Sequence, residues 1–200
     1  MSKVVASEFV TLDGVMEDPG GAEGFEHAGW AFRFNRGPEG DQFKFDEVMN
    51  ADALLLGGVT YREFAQYWPS MTDAGGFGDK MNSMPKFVVS TTLEKAEWNN
   101  STLIRDDVAE ELSKLKQRPG GDILINGSAR LVQSLMEHDL IDEYRLMVFP
   151  IVLGSGKRLF DGSKTTTTLR LVQATPVGPD GVLVLTYEPA RDDKQASDPS

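Results

Sequence analysis

The 200-residue sequence contains no cysteine. This excludes a disulfide framework, a thiolate zinc site and a cysteine nucleophile. It also excludes a zinc-deaminase segment, whose pattern needs cysteines. Histidine is nearly as scarce, with His27 and His138 alone. They stand at no metal-ligand spacing, and a zinc or serine-hydrolase site has no support. Positive charge is in deficit: 20 Lys and Arg face 31 Asp and Glu, for a net charge of −11. Such a chain is a poor candidate for tracking nucleic-acid phosphates, which reward clustered Lys and Arg. Any anionic ligand must be held by backbone N–H donors and a few basic side chains. No run approaches the roughly 18 apolar residues of a membrane span. The apolar stretch at the start soon meets Glu8, Thr11 and Asp13, unlike a secretory leader. A cytoplasmic protein with no membrane partner is the expectation.

What is present is ordinary for a globular chain: 40% hydrophobic and 26% charged residues. The length suits one domain. We expect it over residues 1–190, followed by a polar, disordered tail over 191–200. Residues 3–10 read as a first strand, ended by Thr11-Leu12-Asp13-Gly14. Residues 18–40 form a long loop rich in Gly and Pro, yet carrying Phe25, Trp30, Phe32 and Phe34. Its rings suit either a loop that packs over something or a surface loop pinned by aromatic anchors. Asp41–Asn50 suits a short helix. Residues 53–57, 87–90, 102–105, 122–126 and 144–149 read as strands, several buried on both faces. Helices follow at Thr60, after Asp106 or Asp107, and around Leu131, Leu135 and Met136. Segments 169–177 and 182–188 form a hairpin through Gly178-Pro179-Asp180-Gly181. Alternating strands and helices imply a mainly parallel sheet with flanking helices, to which the hairpin adds antiparallel strands. Ligands of such sheets bind at the carboxyl ends of the strands. The turns after residues 10, 57, 90 and 126 therefore belong near one another.

Those turns carry the chemistry. Asn126-Gly127-Ser128 lies between an apolar strand and an amphipathic helix. Glycine lets backbone approach a phosphate, and the first helical turn offers unpaired N–H groups and a positive dipole end. Arg130 adds charge. Gly57-Gly58-Val59-Thr60-Tyr61 repeats the pattern, with Thr60 as cap or donor. Ser90-Thr91-Thr92 places hydroxyls at the end of another buried strand. The run Ile151-Val-Leu-Gly154-Ser-Gly156-Lys157 is no P-loop, because Ile151 and Arg158 stand where glycine and Ser or Thr are needed. The dinucleotide fingerprint fails as well, with Leu159 at the third glycine.

In this order, Leu12-Asp13-Gly14, Leu56-Gly57-Gly58-Val59-Thr60-Tyr61, Asn126-Gly127-Ser128-Ala129-Arg130-Leu131, Leu140-Ile-Asp-Glu143 and Pro150-Ile-Val-Leu-Gly-Ser-Gly156 with Leu159-Phe160 resemble the dihydrofolate reductase-like superfamily. The similarity is to the reductase domain of riboflavin-biosynthesis deaminase/reductases, the RibD C-terminal type, and spans roughly residues 3–188. It implies an α/β fold of dihydrofolate reductase-like type and NADPH as hydride donor. By that resemblance Gly57, Thr60 and Tyr61 lie beside the phosphates. Ser90 and Thr91 meet the adenosine 2′-phosphate side. Asn126, Gly127, Ser128, Ala129, Arg130 and Leu131 wrap the pyrophosphate. Val152 and Gly154 pass near the nicotinamide or shape a dimer face. The chain departs from the family with Asn126 where a glycine is common and Gly58 where an arginine is common. Arg62, Arg105 and Arg130 are candidate replacements for that charge.

Asp13 is the candidate proton donor or substrate orienter, against its ordinary role in an Asp-Gly turn. Asp41 and Phe45 are candidates for lining a substrate pocket, against a helix cap and a core residue. The first hundred residues hold 14 of the 18 aromatic side chains, for a flat heterocycle or for the core. The reading is an NADPH-dependent reductase of a small heterocyclic or imine-like substrate. It resembles 5-amino-6-(5-phosphoribosylamino)uracil reductase or dihydrofolate reductase, acting as a homodimer without metal. The alternative is a non-catalytic, nucleotide-binding dimeric module.

Overall fold

The computed structural model describes residues 2–71, 75–162 and 166–190, so the expected tail at 191–200 lies outside the described residues. Eight strands form one sheet: β1 (Val4–Thr11), β2 (Ala51–Gly57), β3 (Lys86–Val89), β4 (Ser101–Ile104), β5 (Asp122–Ile125), β6 (Glu143–Phe149), β7 (Leu169–Val177) and β8 (Val182–Pro189). Their spatial order is β4-β3-β2-β5-β1-β6-β8-β7. The first six run parallel. The β7–β8 hairpin closes one side with antiparallel pairs. This is the mostly parallel sheet with a terminal hairpin that the sequence pattern implies.

Among the described residues five α-helices flank it: α1 (Gly37–Asn50), α2 (Gly58–Tyr67), α3 (Phe77–Ser83), α4 (Val108–Lys116) and α5 (Ala129–Glu137). Alternate strand residues sort into two cores. Val5, Leu54, Leu56 and Leu124 pack with Val48 of α1, Tyr61 of α2 and Met81 of α3. Val4, Ala6, Leu55, Ile123 and Ile125 pack with Leu112 of α4 and Leu135 of α5. Strands buried on both faces need no polar alternation, which is why the runs at 53–57 and 123–125 are continuously apolar.

Two local readings change. α1 begins at Gly37 rather than Asp41, because Pro38 sits in its first turn, where the fixed proline φ suits a helix start. α3 was not expected, being only seven residues long. The long loop resolves the choice over its aromatic residues. Trp30 is fully buried and, with Phe34, packs on the Phe149 ring in a third core beside the hairpin. The loop is organised by the buried Asp18 carboxylate, which accepts hydrogen bonds from Ala22 N at 2.6 Å and Phe25 N at 3.2 Å.

The connections locate a crevice. From β1 the chain passes through α1 to β2, two places to one side. From β5 it passes through α5 to β6, two places to the other. The carboxyl ends of neighbouring β1 and β5 thus part company, and such a switch point is where open α/β sheets bind ligands.

Candidate active site

The crevice is built by the ends of β1, β2 and β5. β1 pairs with β5 only from Val4 to Ala6, then continues alone with β6. Beyond that point two side chains bridge the gap. Asn126 Nδ2 donates to Ser7 O at 3.0 Å, and Gly127 N donates to Glu8 Oε1 at 2.7 Å. On the other side Gly57 N donates to Gly127 O at 3.2 Å. The glycines here are required by space. A Cβ on Gly57 would run into Ser128 Oγ. A Cβ on Gly58 would stand 2.9 Å from Ser90 Oγ, and one on Gly127 only 2.7 Å from Thr60 Oγ1. Gly127 also has a φ of +84°, and the Gly127–Ser128 peptide is cis.

Two helix N-termini meet at this point. α2 starts from Gly57 and α5 from Ser128, and neither has a side-chain cap hydrogen bond. Their first-turn N–H groups and positive dipole ends thus have no side-chain cap as acceptor. Hydroxyls of Thr60, Ser90 and Ser128 line the same edge. Ser90 Oγ also accepts from Thr92 N at 3.2 Å and Leu93 N at 3.1 Å, so it holds its own turn together. Next to Leu93, a groove of about 370 Å³ runs between α2 and the 93–98 loop. Tyr61, Ala65 and Trp98 line it, with Arg62 and Lys95 as its cations.

The other candidates separate. The backbones of Ala129, Arg130 and Leu131 form the first turn of α5, while the Ala129 and Leu131 side chains enter the core. Arg62 and Arg130 are exposed, with no ion pair among the described residues; the Arg105 guanidinium donates to Glu94 O at 3.0 Å. Thr91 is exposed. Tyr61 is a core residue whose hydroxyl accepts from Trp98 N at 2.8 Å. Asp41 is at the surface, paired with Arg36 Nε at 2.6 Å, and Phe45 packs on Phe77 of α3.

Asp13 has the bracing role. It accepts from Thr11 Oγ1 at 2.6 Å, Gly154 N at 2.9 Å and Leu153 N at 3.2 Å. Burial works against its charge, but these hydrogen bonds outweigh it and hold the carboxyl below its ordinary pKa. An ionised, fully engaged carboxylate has no proton to give. Val152 stands out into solvent on the loop that Asp13 ties to β1.

The sequence reading missed two buried acids. Glu47, on the inner side of α1, is 4% exposed. Its Oε2 accepts from Ser7 Oγ at 2.8 Å and Lys44 Nζ at 2.7 Å. Arg145 stands 3.7 Å from Oε1 and also binds Asp122 and Glu143. Glu8, 5% exposed, has far less support. Burial pushes its carboxyl up to about 8; Gly127 N–H and the Lys44 cation oppose this, and Glu47 adds to it. Glu8 is therefore a neutral acid at pH 7. A third acid, Glu63 of α2, is raised to about 7, first by burial and then by Glu23 and Asp18 of the long loop. The available signal was charge interrupting an apolar face: Glu8 lies between Ala6 and Val10, and Glu47 abuts Val48.

A mostly parallel sheet with flanking helices and two helix N-termini at its switch point defines an α/β protein. The model of the RibD C-terminal domain matches residues 2–183, and the chain belongs to that family. The uncharacterised protein YyaP of Bacillus subtilis (strain 168) is 30% identical over 188 residues, covering 92% of this chain and 94% of that protein. Solved structures share the fold. A Shewanella sp. PV-4 protein assigned to riboflavin biosynthesis superposes with a TM-score of 0.74 at 20% identity, covering 96% of this chain and all of that one. Dihydrofolate reductase from Enterococcus faecalis, solved with NADP(H), gives 0.60 at 14% identity, covering 94% and 97%. The family is of reductase type. No described helix is long and apolar enough to cross a membrane.

Proposed function

We propose that the protein is an NADPH-dependent reductase of a small heterocyclic or imine-like substrate. The observation that carries this is the meeting of two uncapped helix N-termini over Gly57 and Gly127 at the switch-point crevice. That arrangement suits a pyrophosphate, because it offers N–H donors and hydroxyls without Cβ atoms in the way. Arg62 and Lys95, at the groove beside Leu93, suit the 2′-phosphate end and stand in for the arginine absent at Gly58. When bound, NADPH supplies the hydride. The protein's part is to orient the reactants, exclude water and provide a proton. The exposed edge of β7, with Leu171 and Val172, suits a homodimer.

The test is a titration of the purified protein with NADPH, followed by the emission of Trp30, Trp68 and Trp98. Trp98 lines the groove and gives the expected signal. Saturable quenching at micromolar cofactor is the expected result. No binding at millimolar NADPH ends the proposal.

A further inference from the structure

Glu8 stands at the mouth of the crevice, on the β1 side, just where β5 has left the sheet. Its face of β1 is otherwise apolar, with Ala6 and Val10 on either side and Leu146 paired beside it on β6. The turn after β5 contributes no titratable side chain, only the Gly127 N–H. From α1, Lys44 and Glu47 act on Glu8 in opposite senses. The acid is thus built in, nearly enclosed and without a counter-ion of its own. The Gly127 N–H marks Oε1 as the carbonyl oxygen. The acid proton then resides on Oε2, to which no hydrogen bond runs from any described residue.

Resting on the reductase reading, the geometry points to Glu8 as the proton donor of this site for a carbon–nitrogen double bond. As hydride adds to the carbon, the O–H bond on Oε2 breaks and its proton passes to the nitrogen. The imine becomes an amine, NADPH is consumed to NADP⁺, and Glu8 is left as a carboxylate that takes a proton back from water. Burial that keeps a carboxyl neutral at working pH is how proteins prepare such a donor. Asp13 fails this role because its lone pairs are engaged and its carboxyl is ionised.

The experiment compares wild type with Glu8→Gln, which keeps an oxygen for Gly127 N–H. Infrared difference spectra of the wild type should show a protonated-carboxyl band that disappears with a midpoint near pH 8 and is absent from the variant. The affinity for NADP⁺ relative to NADPH should rise about tenfold through the same range, as an anion forms beside the oxidised ring. It should stay flat in the variant. Reduction of 2-methyl-1-pyrroline, a cyclic imine probe, should fall at least ~100-fold in Glu8→Gln. The assignment is overturned by a band already lost at pH 6, by a wild type that binds NADPH yet leaves the imine unreduced, or by an unchanged rate in the variant. A wild type that binds no NADPH overturns the reductase reading itself.

Discussion

Ser7 and Glu8 are neighbours on β1, yet they meet opposite faces of the sheet. Under Ser7 the buried charge is dense and matched: Glu47 has Lys44 and Ser7, while Arg145 joins Asp122, Glu143 and Glu47. Across the strand, Glu8 has one backbone N–H and no salt bridge among the described residues. Charge of the first kind ties α1, β5 and β6 together, although Glu47 Oε1, 3.7 Å from Arg145, is buried without a hydrogen bond. A single neutral acid at a crevice is poised to change its protonation when something arrives. The two faces show how one strand can carry a structural polar network and a chemical group one residue apart.

Breaking the matched face should have the largest effect. Arg145→Met leaves Asp122, Glu143 and Glu47 without their shared cation. We expect a loss of about 3–5 kcal/mol in urea unfolding. The pH dependence of cofactor affinity should be unchanged. A loss under 1 kcal/mol would mean that the network does not hold the strands.

The unmatched face should answer differently. The folded-state pKa of Glu8 lies above the ordinary value of 4.5, at about 8. The native protein therefore keeps a proton that the unfolded chain releases, and wild-type stability declines as pH rises from about 4.5 to 8. Glu8→Gln has no such decline. Its stability relative to wild type should grow across that window by an order of a few kcal/mol and level off above it. Thermal melts at pH 5, 7 and 9 read this directly, and parallel curves would refute it.

The smallest expected effect lies between the two faces, at the turn that holds Glu8. Gly127→Ala places a Cβ on a left-handed residue and 2.7 Å from Thr60 Oγ1. It should cost about 1–2 kcal/mol, with weaker NADPH binding measured by titration. Full retention of both would show that the turn gives way freely.

Much of this was readable from the sequence, and the reasons are physical. Buried parallel strands are continuous apolar runs, so residues 53–57 and 123–125 announce themselves. Glycine turns opening helices announce Gly57 and Gly127. What stayed hidden depends on tertiary partners. Asp41 and Glu47 are both acids on one helix, and only the docking of α1 on β1 turns Glu47 inward and leaves Asp41 outside. Asp13 rather than Glu8 is the candidate proton donor of the sequence, because nothing local says that the amides of Leu153 and Gly154 will reach Asp13. The resemblance puts Tyr61 beside the phosphates; what it does not reveal is that the Tyr61 ring lies against Trp98.

The central place of β1 also bears on how the chain is made. β1 is synthesised before both of its partners: it pairs on one side with β5, through Val4 and Ile123, and on the other with β6, from Val5 and Glu143 to Thr11 and Phe149. At translation rates of roughly 5–20 residues per second, those partners emerge on the order of ten seconds later. Until then β1 exposes two unpaired edges and an apolar surface, the condition under which nascent chains aggregate. Glu8, charged in the unfolded chain at neutral pH, interrupts that apolar segment during the wait. The residue that is an acid in the finished protein is thus a solubilising charge on the ribosome.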